Sequence, residues 1–93
     1  PLVYIAGIGE AATARARQLA YQLRQAGIQA EVDLMNRSLK AQMKYASKTG
    51  ALFTLVLGDD EITSGSGKLK AMADGQEHPI VLENLVDTLK HLH

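Results

Sequence analysis

Apolar positions recur along this chain with two periods, and the places where one period gives way to the other mark out its elements. Residues 2–8, LVYIAGI, form a short apolar run with β-branched and aromatic members, closed by Gly7 and Gly9, and predict a buried strand. From residue 10 to 26 the apolar positions Ala12, Ala16, Leu19, Leu23 and Ala26 step by 4, 3, 4 and 3, which predicts a helix with Arg15, Arg17 and Arg24 off its packing stripe. Gly27 stands where such a helix stops. Residues 28–34 then alternate strictly, Ile28, Ala30, Val32 and Leu34 against Gln29, Glu31 and Asp33, as expected of a strand near a sheet edge with one covered face.

Ser38 can cap a second helix and Gly50 can end it. Its apolar stripe is read as Leu39, Met43 and Ala46, at i, i+4 and i+7. Residues 51–57, ALFTLVL, have too few polar positions to face water and predict the central strand. Strands joined by helices of this length pair in parallel through right-handed crossovers. The pattern to this point is β-α-β-α-β, a mostly parallel sheet with helices on both sides.

The last third reads differently. Residues 62–67 predict a polar turn with two glycines, and residues 68–73 a strand. Asp74-Gly75 marks a tight turn, and Glu77 to Val81 return as the partner strand of a hairpin. Pro79 cannot donate a backbone hydrogen bond and so belongs on an edge. Leu82, Leu85, Val86, Leu89 and Leu92 predict a closing helix, with Glu83 in its first turn and Lys90 and His91 in its last, the charge order a helix dipole favours.

Composition changes this picture little. Ninety-three residues, 46% apolar and 22% charged, fit one modest globular core. No apolar run approaches the roughly 18 residues of a membrane-spanning helix. The absence of cysteine excludes disulfides and thiolate metal sites, and permits the cytoplasm. The chain begins at Pro1 rather than Met, and is expected to be a single domain, residues 1–93, cut from a longer protein.

Charge matters more. Ten basic and ten acidic residues cancel, so the chain is not a globally basic nucleic-acid binder. Their distribution is uneven. No acid lies between Asp33 and Asp59, while Arg37, Lys40, Lys44 and Lys48 recur at three- and four-residue steps, one cationic stripe on the second helix. Such a stripe is either a solvated face or a contact for something anionic. Acids gather instead at Asp59-Asp60-Glu61 and between residues 74 and 87.

Other motifs carry less. Gly7-Ile8-Gly9 sits at a strand-to-helix junction that could cradle a phosphate, but Ala12 occupies the third glycine position of the dinucleotide signature and Glu10 would repel an anion, so a structural turn is the better reading. Asp59-Asp60-Glu61 lacks partner oxygens for a hard cation, yet its carboxylates could accept hydrogen bonds from base edges. His78, His91 and His93 are read as surface residues. No nucleophile, triad or paired carboxylate set points to catalysis. Tyr4 and Phe53 are expected in the core, while Tyr45, beside Lys44, either stacks on a base or covers the helix.

Taken in order, Arg37-Ser38-Leu39-Lys40, Gln42, Lys44, Ala46, Lys48, Gly50-Ala51 and Val56-Leu57-Gly58-Asp59-Asp60-Glu61 resemble the C-terminal anticodon-binding domain of histidyl-tRNA synthetases, within the class II group for His, Thr, Pro and Gly. The similarity extends over essentially the whole chain, through Gly9-Glu10, Ala26 to Ile28, Asp33-Leu34 and Leu69-Lys70. The resemblance implies a three-layer α/β/α sandwich on a five-stranded mixed sheet, mostly parallel with the fourth strand antiparallel, and three main helices. It also implies a non-catalytic domain that recognises the anticodon loop of tRNA(His), with no cofactor of its own. ATP and Mg would belong to the catalytic domain of the parent, a histidine–tRNA ligase. The parent would be a cytoplasmic homodimer and the isolated domain a monomer.

In the threonine branch of that group, anticodon bases are held at positions that align with Asn36, Lys44, Glu61 and Lys70 here. Two of these carry Arg in that branch and Lys in this chain, so bidentate contacts do not carry over. The resemblance therefore implies a site made of Asn36, Arg37, Lys40, Gln42, Lys44, Glu61 and Lys70. Lys40, Lys44, Lys48 and Lys70 are expected to neutralise phosphates or touch base oxygens, and Asn36, Gln42 and Glu61 to read base edges. An alternative is a synthetase-like regulatory or protein-interaction module, such as the regulatory subunit of ATP phosphoribosyltransferase. A flavodoxin-like small-ligand domain is disfavoured by the imperfect glycine pattern.

Overall fold

A computed structural model describes residues 2–33 and 37–92. Its sheet has five strands in the order β2-β1-β3-β4-β5. They are β1 (Val3–Gly7), β2 (Ala30–Val32), β3 (Phe53–Leu57), β4 (Ser66–Ala71) and β5 (Glu77–Val81). β1 pairs in parallel with β2 and β3, whereas β4 is antiparallel to both β3 and β5, so the expected mixed sheet with a reversed fourth strand is present. The helices are α1 (Glu10–Gln25), α2 (Leu39–Thr49), a short α3 (Asp59–Ser64) and α4 (Leu85–Leu92), the last entered through a 3-10 turn at Leu82–Asn84.

Alternation along the strands divides the core. Val3 and Ile5 of β1, Leu55 and Leu57 of β3, Leu69 of β4 and Ile80 of β5 face one side, where α1 adds Ala12, Ala16, Leu19, Ala20 and Leu23 and the C-terminal segment adds Leu82, Leu85 and Leu89. On the other side Tyr4 and Ala6 meet Ala46, with Met43 and Val56 packed against them. That second layer is thin because α2 lies over β1 and leaves much of β3, β4 and β5 uncovered. Tyr4 is fully buried as expected, and Phe53 is partly buried against the larger core.

Helix ends follow the punctuation read from the sequence. At the end of α1, Ile28 N–H donates to Leu23 O at 2.9 Å and Gly27 N–H to Arg24 O at 3.0 Å, the paired bonds of a Schellman motif. Gly27 supplies the positive φ, 83°, that this stop requires. Ile28 is thus spent closing α1 and burying itself beside Leu23, which shortens β2 from the expected residues 28–34 to Ala30–Val32. Leu34 lies outside the described residues. At the other end of α1, a Cβ on Gly7 would fall 2.7 Å from Thr13 Cα and 2.8 Å from Ala12 O, so this glycine serves close strand-to-helix packing.

Three further expectations are corrected. The buried residues of α2 are Gln42 and Ala46, while Leu39 is 39% exposed and Met43 half-buried; the helix is turned from the stripe read off its apolar positions, and the Gln42 Nε2 that it buries donates to Arg37 O and Gly7 O. The polar turn expected over residues 62–67 is divided between two elements: residues 59–64 form α3, whose entrance is closed by Glu61 Oε1 accepting the Gly58 N–H at 2.7 Å. β4 accordingly starts at Ser66, two residues earlier than expected. The hairpin turn holds, with Gln76 N–H donating to Asp74 Oδ1 at 3.0 Å, and Pro79 lies in the edge strand β5.

Candidate nucleic-acid interface

The site builds outward from the thin layer beneath α2. Ser38 caps this helix by accepting the Ala41 N–H on its Oγ at 3.3 Å, and Lys40, Lys44 and Lys48 all project into solvent. On the flank facing β2, Arg37, Ala41, Lys44, Tyr45 and Lys48 line a shallow depression. Its floor is aromatic: Tyr45 stands edge-on to Tyr4, ring centres 5.9 Å apart, and the Arg37 guanidinium lies 4.8 Å above the Tyr45 ring. Tyr45 therefore covers the helix and the buried Tyr4, and is still 39% exposed.

Arg37 is not a loose cation. Its Nε donates to Asp33 Oδ1 at 2.9 Å and its backbone N–H to Asp33 Oδ2 at 2.6 Å. The hydrogen bond to Asp33 holds the guanidinium still further toward its charged form. Asp33, expected on the solvent face of β2, is only 4% exposed, because its charge is met by this bidentate contact.

On the other flank of α2, where Met43 packs toward Val56, the sheet is open. Lys70 lies opposite the buried Thr54 across the β3–β4 pair and opposite Glu77 across β4–β5, so it projects from the same side of the sheet as α2. Lys68 follows the same alternation, opposite Pro79. A second shallow depression lies here, with Val56, Ser66, Lys68 and Pro79 beneath and Asp60, Glu61 and Ser64 of α3 at its border.

The expected residues are therefore not gathered into one pocket. Arg37, Lys44 and Lys48 share one depression and Glu61 borders the other. Lys40 and Lys70 are exposed outside both linings. Asn36 lies outside the described residues. Gln42 needs correction: it is fully buried, and its Nε2 donates to Arg37 O at 2.7 Å, so its side chain is turned away from any ligand on the helix surface. Glu61 has one carboxylate oxygen committed to the Gly58 N–H.

Sequence reading missed Asp33 and Lys68. Asp33 had a signal in its i, i+4 spacing to Arg37 across a strand-to-helix link. Lys68 had one too, since it shares a strand face with Lys70.

This sheet order, with one basic helix over half of one face, is the architecture of an anticodon-binding module, and the family profile described as "Anticodon binding domain" matches residues 2–92. The chain belongs to that family. It is similar to the histidine–tRNA ligase of Acetivibrio thermocellus, 50% identical over 90 residues, which cover 97% of this chain and 22% of that protein. The histidine–tRNA ligase of Halothermothrix orenii is 43% identical over 97% of this chain and 22% of its own length. Among solved structures, apo S. aureus histidyl-tRNA synthetase superimposes with a TM-score of 0.91 at 37% identity, covering 94% of this chain and 25% of that one. The chain thus spans about a fifth to a quarter of the length of these relatives.

Proposed function

We propose that this chain recognises the anticodon loop of tRNA(His) as the accessory C-terminal domain of a histidyl-tRNA synthetase, and performs no chemistry itself. The observation that carries the reading is one-sidedness. Lys40, Lys44 and Lys48 of α2 and Lys68 and Lys70 of β4 all emerge from the side of the sheet that α2 leaves half uncovered. A neutral chain with five of its six lysines placed this way presents a local positive field to a polyanion. Carboxylates of α3 at its border add acceptors for base edges, and an unpaired loop offers both splayed bases and phosphates.

In this reading Lys40, Lys44, Lys48, Lys68 and Lys70 meet phosphates or base oxygens, and Glu61 and Asn36 read base edges. Gln42 is left out because it is buried. The 93 residues act as one domain within a longer cytoplasmic, homodimeric enzyme, whose separate catalytic part binds ATP and Mg and joins histidine to the tRNA. Among the described residues no helix is long and apolar enough to cross a membrane.

Amide chemical-shift mapping tests the placement. Adding a tRNA(His) anticodon stem-loop should move resonances of α2, β4 and the start of α3 and leave the outer faces of α1 and α4 unchanged. Shifts concentrated on α1 and α4 would refute it.

A further inference from the structure

Positions 33 and 37 bracket the link from β2 to α2, and they grip each other directly. Asp33 receives both the backbone N–H and the Nε of Arg37. From the other side, the buried Gln42 donates to the Arg37 carbonyl at 2.7 Å, and the guanidinium face rests on Tyr45. Arg37 is thus held at its amide, its carbonyl, its Nε and its guanidinium face. A side chain so engaged has little freedom to follow a phosphate, and with Asp33 beside it the pair adds no net charge to the surface.

We propose that Asp33, Arg37 and Gln42 are positioning residues for RNA binding. They fix both ends of the β2–α2 connection and the seating of the helix that carries Lys40, Lys44 and Lys48, and Arg37 is not itself a phosphate contact. The inference rests on the RNA-binding reading above and deepens it, by separating groups that touch the loop from groups that hold those groups in place. A carboxylate that is 4% exposed is costly unless paired, so the clamp is a fixed feature of the fold and not a passing surface contact. Gln42 extends it inward, since the same amide nitrogen lies 3.4 Å from Gly7 O at the end of β1.

The test compares Asp33→Asn, Gln42→Met and Lys44→Gln with the unaltered chain, titrating the cognate anticodon stem-loop and an anticodon-swapped one across a range of salt. Asp33→Asn keeps the shape and removes the charge, and should weaken cognate binding about tenfold, the equivalent of one ordinary hydrogen bond, without flattening the salt dependence. Lys44→Gln, by contrast, should lower the slope of log K against log salt by about one. Gln42→Met alters no exposed group, so a weaker complex with an unchanged slope cannot come from a lost contact; it also serves if Asp33→Asn fails to fold. Amide hydrogen exchange on the free protein should show Arg37 N–H exchanging faster in Asp33→Asn, with the amides of β1 and β3 unchanged.

A tighter and more salt-dependent complex for Asp33→Asn would mean that Arg37, once released, takes a phosphate, and would overturn the proposal. So would Asp33→Asn and Gln42→Met variants that bind as the unaltered chain does. If the unaltered chain does not distinguish the two loops, the functional reading itself fails, and this inference with it.

Discussion

Lys70 stands directly across the β3–β4 pair from Thr54, and because Thr54 is buried on the α2 side, the Lys70 ammonium must leave the sheet on that side too. This register brings a charge from the C-terminal hairpin round to the face that carries the α2 lysines, although the two stretches lie far apart in sequence.

Reversing charge at either end of this face should therefore weaken RNA binding in the same way. Lys44→Glu and Lys70→Glu are each expected to lower affinity for the tRNA(His) anticodon stem-loop by about tenfold at low salt, and by less as salt is raised. Lys90→Glu, in the last turn of α4, is the control and should bind as the unaltered chain does. Fluorescence anisotropy at two salt concentrations reads all three.

The fold was largely legible because its signals are redundant. In β1 and β3 the apolar runs coincide with glycine punctuation, and in α1 the 4-3 spacing, the basic residues off the stripe and Gly27 all agree. The seating of α2 was not legible, since a buried glutamine looks like a surface residue until its carbonyl partners are known. α3 was overlooked for a similar reason: Gly58-Asp-Asp-Glu is a helix entrance only once Glu61 turns back to the Gly58 amide. The site was half legible, because periodicity places Lys40, Lys44 and Lys48 on one helix but cannot reveal that Arg37 is already held by Asp33.

Removing the Gln42 amide should show in stability as well as in binding. Gln42→Ala leaves the Arg37 carbonyl without its 2.7 Å donor and opens a space where a fully buried side chain stood, a loss of about 2 to 3 kcal/mol in urea unfolding. An unchanged denaturation midpoint would mean that the buried amide contributes little.

Gly7 allows no side chain. The Cβ of a Gly7→Ala variant would overlap the α1 backbone, which cannot yield as a flexible side chain would, and about 1 to 3 kcal/mol of destabilisation is expected. Gly75→Ala, with nothing within 4 Å of the new methyl, separates backbone strain at positive φ from overlap. Thermal unfolding of both variants should place Gly7→Ala lower.

Stability should also fall at alkaline pH through Tyr4. Burial raises its phenol above the ordinary value of 10.0, the Asp33 charge adds to the rise, and Arg37 opposes it in part. The folded state then holds the phenolic proton more tightly than the unfolded state, so this contribution is complete below pH of about 10 and is lost as pH climbs through the folded value. Tyr4→Phe should lose less stability than the unaltered chain between neutral pH and pH of about 11. Parallel curves would show that Tyr4 does not titrate differently on folding.

The most direct test of the central claim is a titration of the chain with cognate and anticodon-swapped tRNA(His) stem-loops, at low and at moderate salt. Base reading predicts a preference for the cognate loop that persists as salt is added, while both affinities fall together. Equal binding of the two loops, vanishing with salt, would reduce the α2 face to a charged surface and contradict the account.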